Sequence, residues 1–196
     1  YGIYRLGKGL DELLFENVEQ YLNKKCLLSP NLTKEEWIRL NRNLDNNNAI
    51  GDYSKELGEI FGGILPVGSQ GCAYLHGIII SGEYRGKVLN LDADRQQPHF
   101  TYENNFLDWY ERWLDEIISG DLLQEHSGWF GYIMGGSTEE LLTKFQLADN
   151  ENIQESCLSG LLRKKDCTQE SLSIIEEYYL NQVGRIKKLF LQVLVR

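Results

Sequence analysis

The sequence has no CxxC cysteine pair, no long apolar run and no excess of basic over acidic residues. Its 196 residues include four cysteines, and no two of them form a CxxC pair. We therefore expect four reduced thiols, with neither a disulfide framework nor a zinc site. The sequence has no apolar run of about 18 residues, which argues against a transmembrane helix. Because no secretion leader opens the sequence either, we expect a cytoplasmic protein.

Basic residues are outnumbered, with 20 against 29 acidic ones, and the formal net charge is −9. An acidic surface repels phosphate groups, so we expect no direct nucleic-acid partner and no membrane partner. The charge has two interpretations. It keeps the protein soluble, or it steers the protein toward a basic partner such as a nuclease.

Motifs for cofactor binding are also missing. The glycine-rich stretch Ile64–Asp94 has neither GxGxxG nor the Lys-Ser/Thr of a phosphate loop, and it leads into a strand. Turns and bulges explain its glycines more simply. Asp92, Asp94 and Glu103 have part of the EF-hand spacing, but Gln97 stands where that loop needs glycine. We expect no cofactor, no metal and no catalytic residues.

The histidines and cysteines do not form a recognisable catalytic set. Cys72 is predicted to lie in an apolar strand as a small core residue. His76 alternates with Tyr74 along that strand and is predicted to fill a satisfied polar position. His99 is predicted in a turn, and His126 falls in a segment to which the sequence assigns no structure. A small hydrolase therefore stays only a minor alternative.

The first half of the chain changes from helical to strand-like patterns. Two early helices are predicted, and the second begins at the capping box Thr33–Glu36. Residues 41–54 are rich in Asn, Asp and Gly and are predicted to form a loop. Three strands follow, of which the second and third form an antiparallel hairpin through Gly82–Arg85. Pro66 is predicted to end the first of these strands or to lie at a sheet edge.

The clearest predicted helix is ENNFLDWYERWLDEIISG, which stops at Gly120. Its carboxylates Glu111, Asp115 and Glu116 are predicted to be solvated. Its predicted inner face carries five apolar residues: Phe106, Tyr110, Trp113, Leu114 and Ile117.

Helical patterns also predominate after this segment. A capping box beginning at Ser137 opens another helix. The composition is polar from Asp149, and the chain is predicted to be helical again from Thr168 to the end, with a break at Gly184.

An ordered series of short features in this chain resembles the SUKH superfamily, which includes bacterial toxin-immunity proteins and a fungal cell-wall regulator. The resemblance covers residues 1–145 and implies an α+β fold, a mainly antiparallel sheet packed with helices. Residues 146–196 are predicted to form a C-terminal helical extension. Family members usually begin with a helix and an Asn-Gly turn ahead of the region that matches Tyr1–Leu10, and this chain shows neither. It is therefore expected to lack its first helix or to receive it from another fragment. The matching features are Pro66-Val67-Gly68, Gly71, Tyr74-Leu75, Gly86-Lys87-Val88, Asp92, Phe106-Leu107, Trp109 and Tyr110.

The resemblance implies protein binding rather than catalysis, because the family has no common catalytic residues. Many bacterial members neutralise a cognate toxin, often a nuclease, by occluding it. We therefore expect an immunity protein, with a regulatory or scaffold protein as the alternative. Expected exposure and charge, rather than the family, select seven candidate partner-binding residues: Glu83, Tyr84, Asp92, Asp94, Glu103, Asp108 and Glu111.

Overall fold

A computed structural model of the chain describes residues 2–5, 18–45, 58–124, 129–165 and 167–195. Contacts between residues divide the chain into two compact units, Tyr1–Trp109 and Tyr110–Arg196. The first unit combines a sheet with helices and the second is helical, so the predicted α+β class with a helical C-terminal part is confirmed. The predicted domain boundary between residues 145 and 146 rests on the family resemblance and stays a prediction.

Five strands of the described residues form one antiparallel sheet, in the order β1-β2-β3-β4-β5. The three central strands confirm the sequence prediction. The two outer strands, each of two residues, are not predicted by any pattern, and His99 belongs to one of them rather than to a turn. The strands are β1 Gly2–Ile3, β2 Ile64–Gly71, β3 Tyr74–Ile79, β4 Val88–Asp92 and β5 His99–Phe100.

Strand β2 does not end at Pro66, but Pro66 has a described strand partner on one side only, as predicted for an edge position, and β2 differs from its prediction at Cys72. It continues past Pro66, which pairs with Gly77 of β3 and lies beyond the part of β2 that pairs with β1. Proline is tolerated there because no neighbouring β1 residue needs its missing N–H. The strand ends at Gly71, so Cys72 lies exposed at the hairpin tip with a φ of 49°, and its predicted core position is wrong.

Two described helices accompany the sheet in the first unit: α1, Val18–Asn23, and α2, Lys34–Asp45. The predicted capping box is confirmed, because the Glu36 amide donates to Thr33 Oγ1 and the Thr33 amide donates to Glu36 Oε2. Helix α2 includes residues 41–45, so the loop predicted there is wrong for them. Residues 46–54 and most of the first predicted helix lie outside the described residues.

The core of the first unit lies between these helices and the sheet. Trp37 of α2 is buried, as predicted, and its ring centroid lies 6.2 Å from that of Phe61. Every residue of β4 is buried, which is typical of a central strand covered on both faces. Gly77 of β3 packs so tightly that a Cβ atom there would lie 2.5 Å from Ile64 Cγ2.

Helix α3, Phe106–Ile118, begins in the first unit and continues into the second. A 3₁₀ turn follows at Asp121–Leu123 after Gly120, whose φ of 82° confirms the predicted stop. The remaining helices are α4 Thr138–Leu147, α5 Glu151–Leu161, α6 Gln169–Asn181 and α7 Gly184–Leu194.

The second unit has its own apolar core, which contains Leu141, Leu158, Ile175 and Phe190 from the helices α4 to α7. The capping box at Ser137 and the break at Gly184 are confirmed. Helix α5 occupies most of the polar stretch between Asp149 and Thr168, for which no sequence pattern predicts a helix. None of the described helices combines the length and the apolar character that crossing a membrane requires.

Candidate functional site

Trp109 fixes the beginning of α3 in the core of the first unit. Its indole is fully buried, stacks on Phe106 and meets the His76 ring edge-on, with a 5.0 Å distance between the ring centroids of His76 and Trp109. His76 Nδ1 forms a 2.7 Å hydrogen bond with Asn90 Oδ1, as expected for a satisfied polar position. Burial lowers the pKa of His76 to about 4, although the hydrogen bond that the ring donates to Asn90 opposes that shift. His76 is therefore a neutral structural residue at neutral pH.

Arg112 anchors the second half of α3 through an enclosed guanidinium group. Its Nε donates to Glu116 Oε1 at 2.6 Å, and its Nη2 donates to the Ile133 carbonyl at 2.6 Å. Its Cζ also lies 4.9 Å from the centroid of the Phe130 ring. A Cβ atom at position 135 would lie only 1.9 Å from Arg112 Nε, so the close approach requires Gly135. The aromatic, glycine-rich segment around residue 130 thus encloses a buried cation.

A second ion pair lies beside the first. Lys164 Nζ is 2.8 Å from Asp121 Oδ2, and the Lys165 amide donates to Asp121 Oδ1 at 2.7 Å. Burial opposes ionisation of Asp121, but these hydrogen bonds outweigh it and hold the pKa of the carboxyl below its ordinary value. Asp121 is therefore charged at neutral pH. It attaches the segment after α3 to the residues that follow α5.

Both ion pairs border a cavity of about 30 Å³ in the second unit, with Trp129 at its rim. A water molecule occupies about this volume in the liquid, whereas small-molecule sites measure about 300 Å³ or more. The cavity therefore suits a single water and is too small for an organic substrate. We conclude that the ion pairs position α3 and do not form a substrate pocket.

The opposite side of α3 is exposed and carries two parallel stripes. At about 3.6 residues per turn, Leu114 and Ile118 form one stripe and Glu111 and Asp115 form the other. Ile118 is 82% exposed, and both carboxylates are exposed. We call these four residues the α3 outer face. Because Arg112 and Glu116 are held on the inner side, the helix presents this face in a fixed orientation.

The prediction for the helix surface is therefore partly wrong. Leu114 is predicted on the inner face but lies on the outer face. Glu116 is predicted to be solvated but is largely buried against Arg112, with side-chain exposures of 10% for Arg112 and 13% for Glu116. The spacing of Glu111, Leu114 and Ile118 already places them on one side of a helix. The arginine contact depends on a loop that sequence patterns do not assign.

The seven predicted partner-binding residues have different environments. Glu83, Asp94, Asp108 and Glu111 are exposed, whereas Tyr84 and Glu103 are half-buried. Asp92 is only 3% exposed, which contradicts the exposure on which its selection depends. Those up to Asp108 belong to the first unit, and Glu111 belongs to the second.

Local contacts explain the burial of several predicted residues. Asp92 Oδ1 accepts a 2.8 Å hydrogen bond from the Asp94 amide, so its carboxylate closes the turn after β4 instead of facing a partner. The Tyr84 ring packs edge-on against Phe100, with 6.3 Å between ring centroids. The Glu103 carbonyl accepts a hydrogen bond from Lys87 Nζ.

Metal-ligating side chains and thiols complete the account of the described residues. Among the described residues, no group of three or more His, Cys, Asp or Glu side chains is arranged to hold a metal ion. All four cysteines are free thiols, and Cys26 and Cys157 are buried. The prediction for His126 lies outside the described residues.

Comparisons of the chain with protein-family models, curated proteins and solved structures find no match. The resemblance to the SUKH superfamily therefore stays a prediction, and the function must be argued from the surface of the molecule.

Proposed function

We propose that this chain is a non-enzymatic module that binds a basic protein through the α3 outer face. The observation that carries the proposal is the apolar stripe of Leu114 and Ile118 beside the acidic stripe of Glu111 and Asp115. Exposed apolar side chains supply contact area that is removed from water, and neighbouring charges select the partner and accelerate its association. A basic surface with a central apolar patch matches this pattern.

Within this proposal, the biological role is the neutralisation of a cognate toxin by occlusion. The resemblance stated for residues 1–145 supports this role, and so does the net charge of −9, which favours a basic partner such as a nuclease.

A growth-rescue assay tests the role and the surface together. The gene adjacent to that of this protein is expressed alone, with the wild-type chain, or with the variant Glu111→Lys/Asp115→Lys. We expect the wild type to restore growth and to co-purify with the neighbouring product. We expect the variant to lose both properties, because its α3 outer face repels a basic partner.

The matched control is Glu176→Lys, which reverses an exposed carboxylate in the middle of α6. It is expected to rescue growth like the wild type. Circular dichroism and thermal melting must show that all variants are folded. Rescue by the folded Glu111→Lys/Asp115→Lys variant would remove the α3 outer face from the proposal, and the absence of any rescue by the wild type would remove the immunity role.

A further inference from the structure

Helix α7 differs in charge from the rest of the second unit. Its sequence, GRIKKLFLQVL, contains three basic residues and no acidic residue in a chain that is strongly acidic. Ile186, Phe190 and Val193 face the core of the unit. The residues opposite them, Arg185, Lys188, Leu191 and Val195, are exposed, and we call them the α7 outer face.

The α7 outer face also has two stripes. Leu191 and Val195 form an apolar stripe, and Val195 is 71% exposed. Lys188 and Arg185 form a basic stripe beside it, at about 3.6 residues per turn. Arg185 Nε is 2.8 Å from Glu155 Oε1, but the arginine side chain is 73% exposed. A surface ion pair of this kind contributes little and exchanges readily.

We propose that the α7 outer face docks on the α3 outer face of a second copy of this chain. Apolar stripe then meets apolar stripe, and the basic stripe meets the acidic stripe of Glu111 and Asp115. The net charges of two copies repel each other at long range. That repulsion is screened beyond about 8 Å at physiological salt, whereas the contact acts at shorter distance.

The order of the stripes determines the direction of docking. When either helix is viewed from outside with its N-terminus at the top, the charged stripe lies to the left of the apolar stripe, because both helices are right-handed. When two such faces meet, the apolar stripes contact each other and the basic stripe contacts the acidic stripe only if the helices run antiparallel. A parallel arrangement sets Lys188 against Ile118 and leaves the carboxylates against Leu191.

The docked state has a consequence for the proposed function. It covers the α3 outer face, so self-association and binding of a basic partner exclude each other. Self-association rests on the same α3 outer face as the proposed function. Each proposal can still be disproved without the other, because the α7 outer face has no part in the proposed partner contact. If two α3–α7 contacts form around a two-fold axis the product is a closed dimer, and otherwise the copies form a chain.

Charge reversal tests the contact with the protein alone. The variants are Arg185→Glu/Lys188→Glu and Glu111→Lys/Asp115→Lys. The control Lys144→Glu/Lys165→Glu is matched to the first of them, because it makes the same change in net charge at two other exposed lysines. Sedimentation velocity at low and high salt measures association over a range of concentrations. We expect the wild type and the control to associate, and each reversed variant alone to associate at least about tenfold more weakly.

Mixing the two reversed variants is the decisive step. Each acidic face then meets a basic face again, so the equimolar mixture is expected to recover association to within about threefold of the wild type. Salt is expected to weaken association in the wild type and in the mixture alike.

A wild-type chain that stays monomeric at low salt up to millimolar concentration overturns the proposal. Association that the reversed variants keep, or that their mixture does not restore, overturns it as well. Binding of the monomer to vesicles containing phosphatidylserine, lost in Arg185→Glu/Lys188→Glu, would instead assign the α7 outer face to a lipid surface. Growth rescue by the Arg185→Glu/Lys188→Glu variant remains a test of the proposed function alone.

Discussion

The two units bury polar groups in different ways. The first unit buries a neutral pair, His76 and Asn90, and besides it the Asp92 carboxyl group that closes the turn after β4. The second unit buries charges, in the pairs Arg112–Glu116 and Asp121–Lys164. A neutral pair is stable only while the imidazole stays unprotonated, whereas an ion pair needs both partners charged. We therefore expect protonation of His76 to destabilise the first unit, and removal of one ion-pair partner to destabilise the second.

The largest expected effect comes from breaking the buried ion pair of the second unit. Arg112→Met leaves Glu116 partly buried without its cation, so we expect a loss of about 3–5 kcal/mol in the free energy of unfolding. Urea denaturation measures it. In the Arg112→Met background, Glu116→Gln is expected to recover part of the loss because a neutral amide costs less to bury.

The matched control for that experiment is Arg185→Met, which breaks the exposed pair with Glu155. We expect a loss of less than about 1 kcal/mol. Equal losses for the two variants would show that the buried pair contributes no more than a surface pair, and the contrast between the units would disappear.

The second-largest effect is expected in the pH dependence of stability and concerns His76 of the first unit. The pKa of His76 is about 4 in the folded state against about 6.5 in an unfolded chain. The unfolded state therefore binds a proton first as pH falls, so stability is complete above about pH 6.5 and decreases down to about pH 4. The difference in pKa corresponds to about 3 kcal/mol.

Replacing the imidazole isolates this contribution. His76→Gln is expected to flatten the dependence of stability on pH between about 6.5 and 4, whatever its effect at neutral pH. Urea denaturation at several pH values measures the slope. By contrast, the lowered pKa of Asp121 has its effect only below about pH 4, as stability falls when that carboxylate is protonated. An unchanged slope in His76→Gln contradicts the assignment.

The smallest effect concerns a device that the two units share, the capping box. In the second unit, the Glu140 amide donates to Ser137 Oγ at 3.1 Å and the Ser137 amide donates to Glu140 Oε2 at 2.7 Å. Ser137→Ala is expected to cost about 1 kcal/mol, and Ser137→Gly only a few tenths, because glycine tolerates the cap position. Thermal melting compares the two. A larger loss in glycine than in alanine would contradict a capping role.

Local chemistry made much of the fold predictable. Thr33 and Ser137 indicate where helices begin, because each side chain caps an amide only three residues further along the chain. Gly120 indicates where a helix ends, because glycine adopts a positive φ easily. The three central strands follow from apolar runs punctuated by glycine. Such signals are complete within a few residues of sequence, so tertiary structure is not needed to read them.

The errors have long-range causes. Helix α5 escaped prediction because its first turns are polar, and only its second half, with Cys157, Leu158 and Leu161, reaches the core. The two-residue strand β1 exists only as the partner of a strand far away in sequence, and the two-residue strand β5 only as the partner of the preceding strand β4, so neither shows a pattern of its own. The burial of Glu116 depends on Arg112 being enclosed by a loop around Gly135.

The candidate site shows the same division. Glu111 is exposed, as the sequence predicts, because charge and helical spacing are properties of the sequence. Ile118 and Leu114 were missed, because apolar residues are assumed to face a core and only the structure shows on which side of α3 the core lies.

The exposed thiol of Cys72 at the β2–β3 hairpin tip has a practical consequence. Cys26 and Cys157 are shielded inside the two units, and Cys167 is only half-exposed, so a maleimide dye should react first at position 72. A Cys167→Ser variant would make the labelling selective. A single fluorophore at that tip then reports the tumbling of the chain in solution, and polarised emission from it could follow complexes as they form without any tag at either terminus.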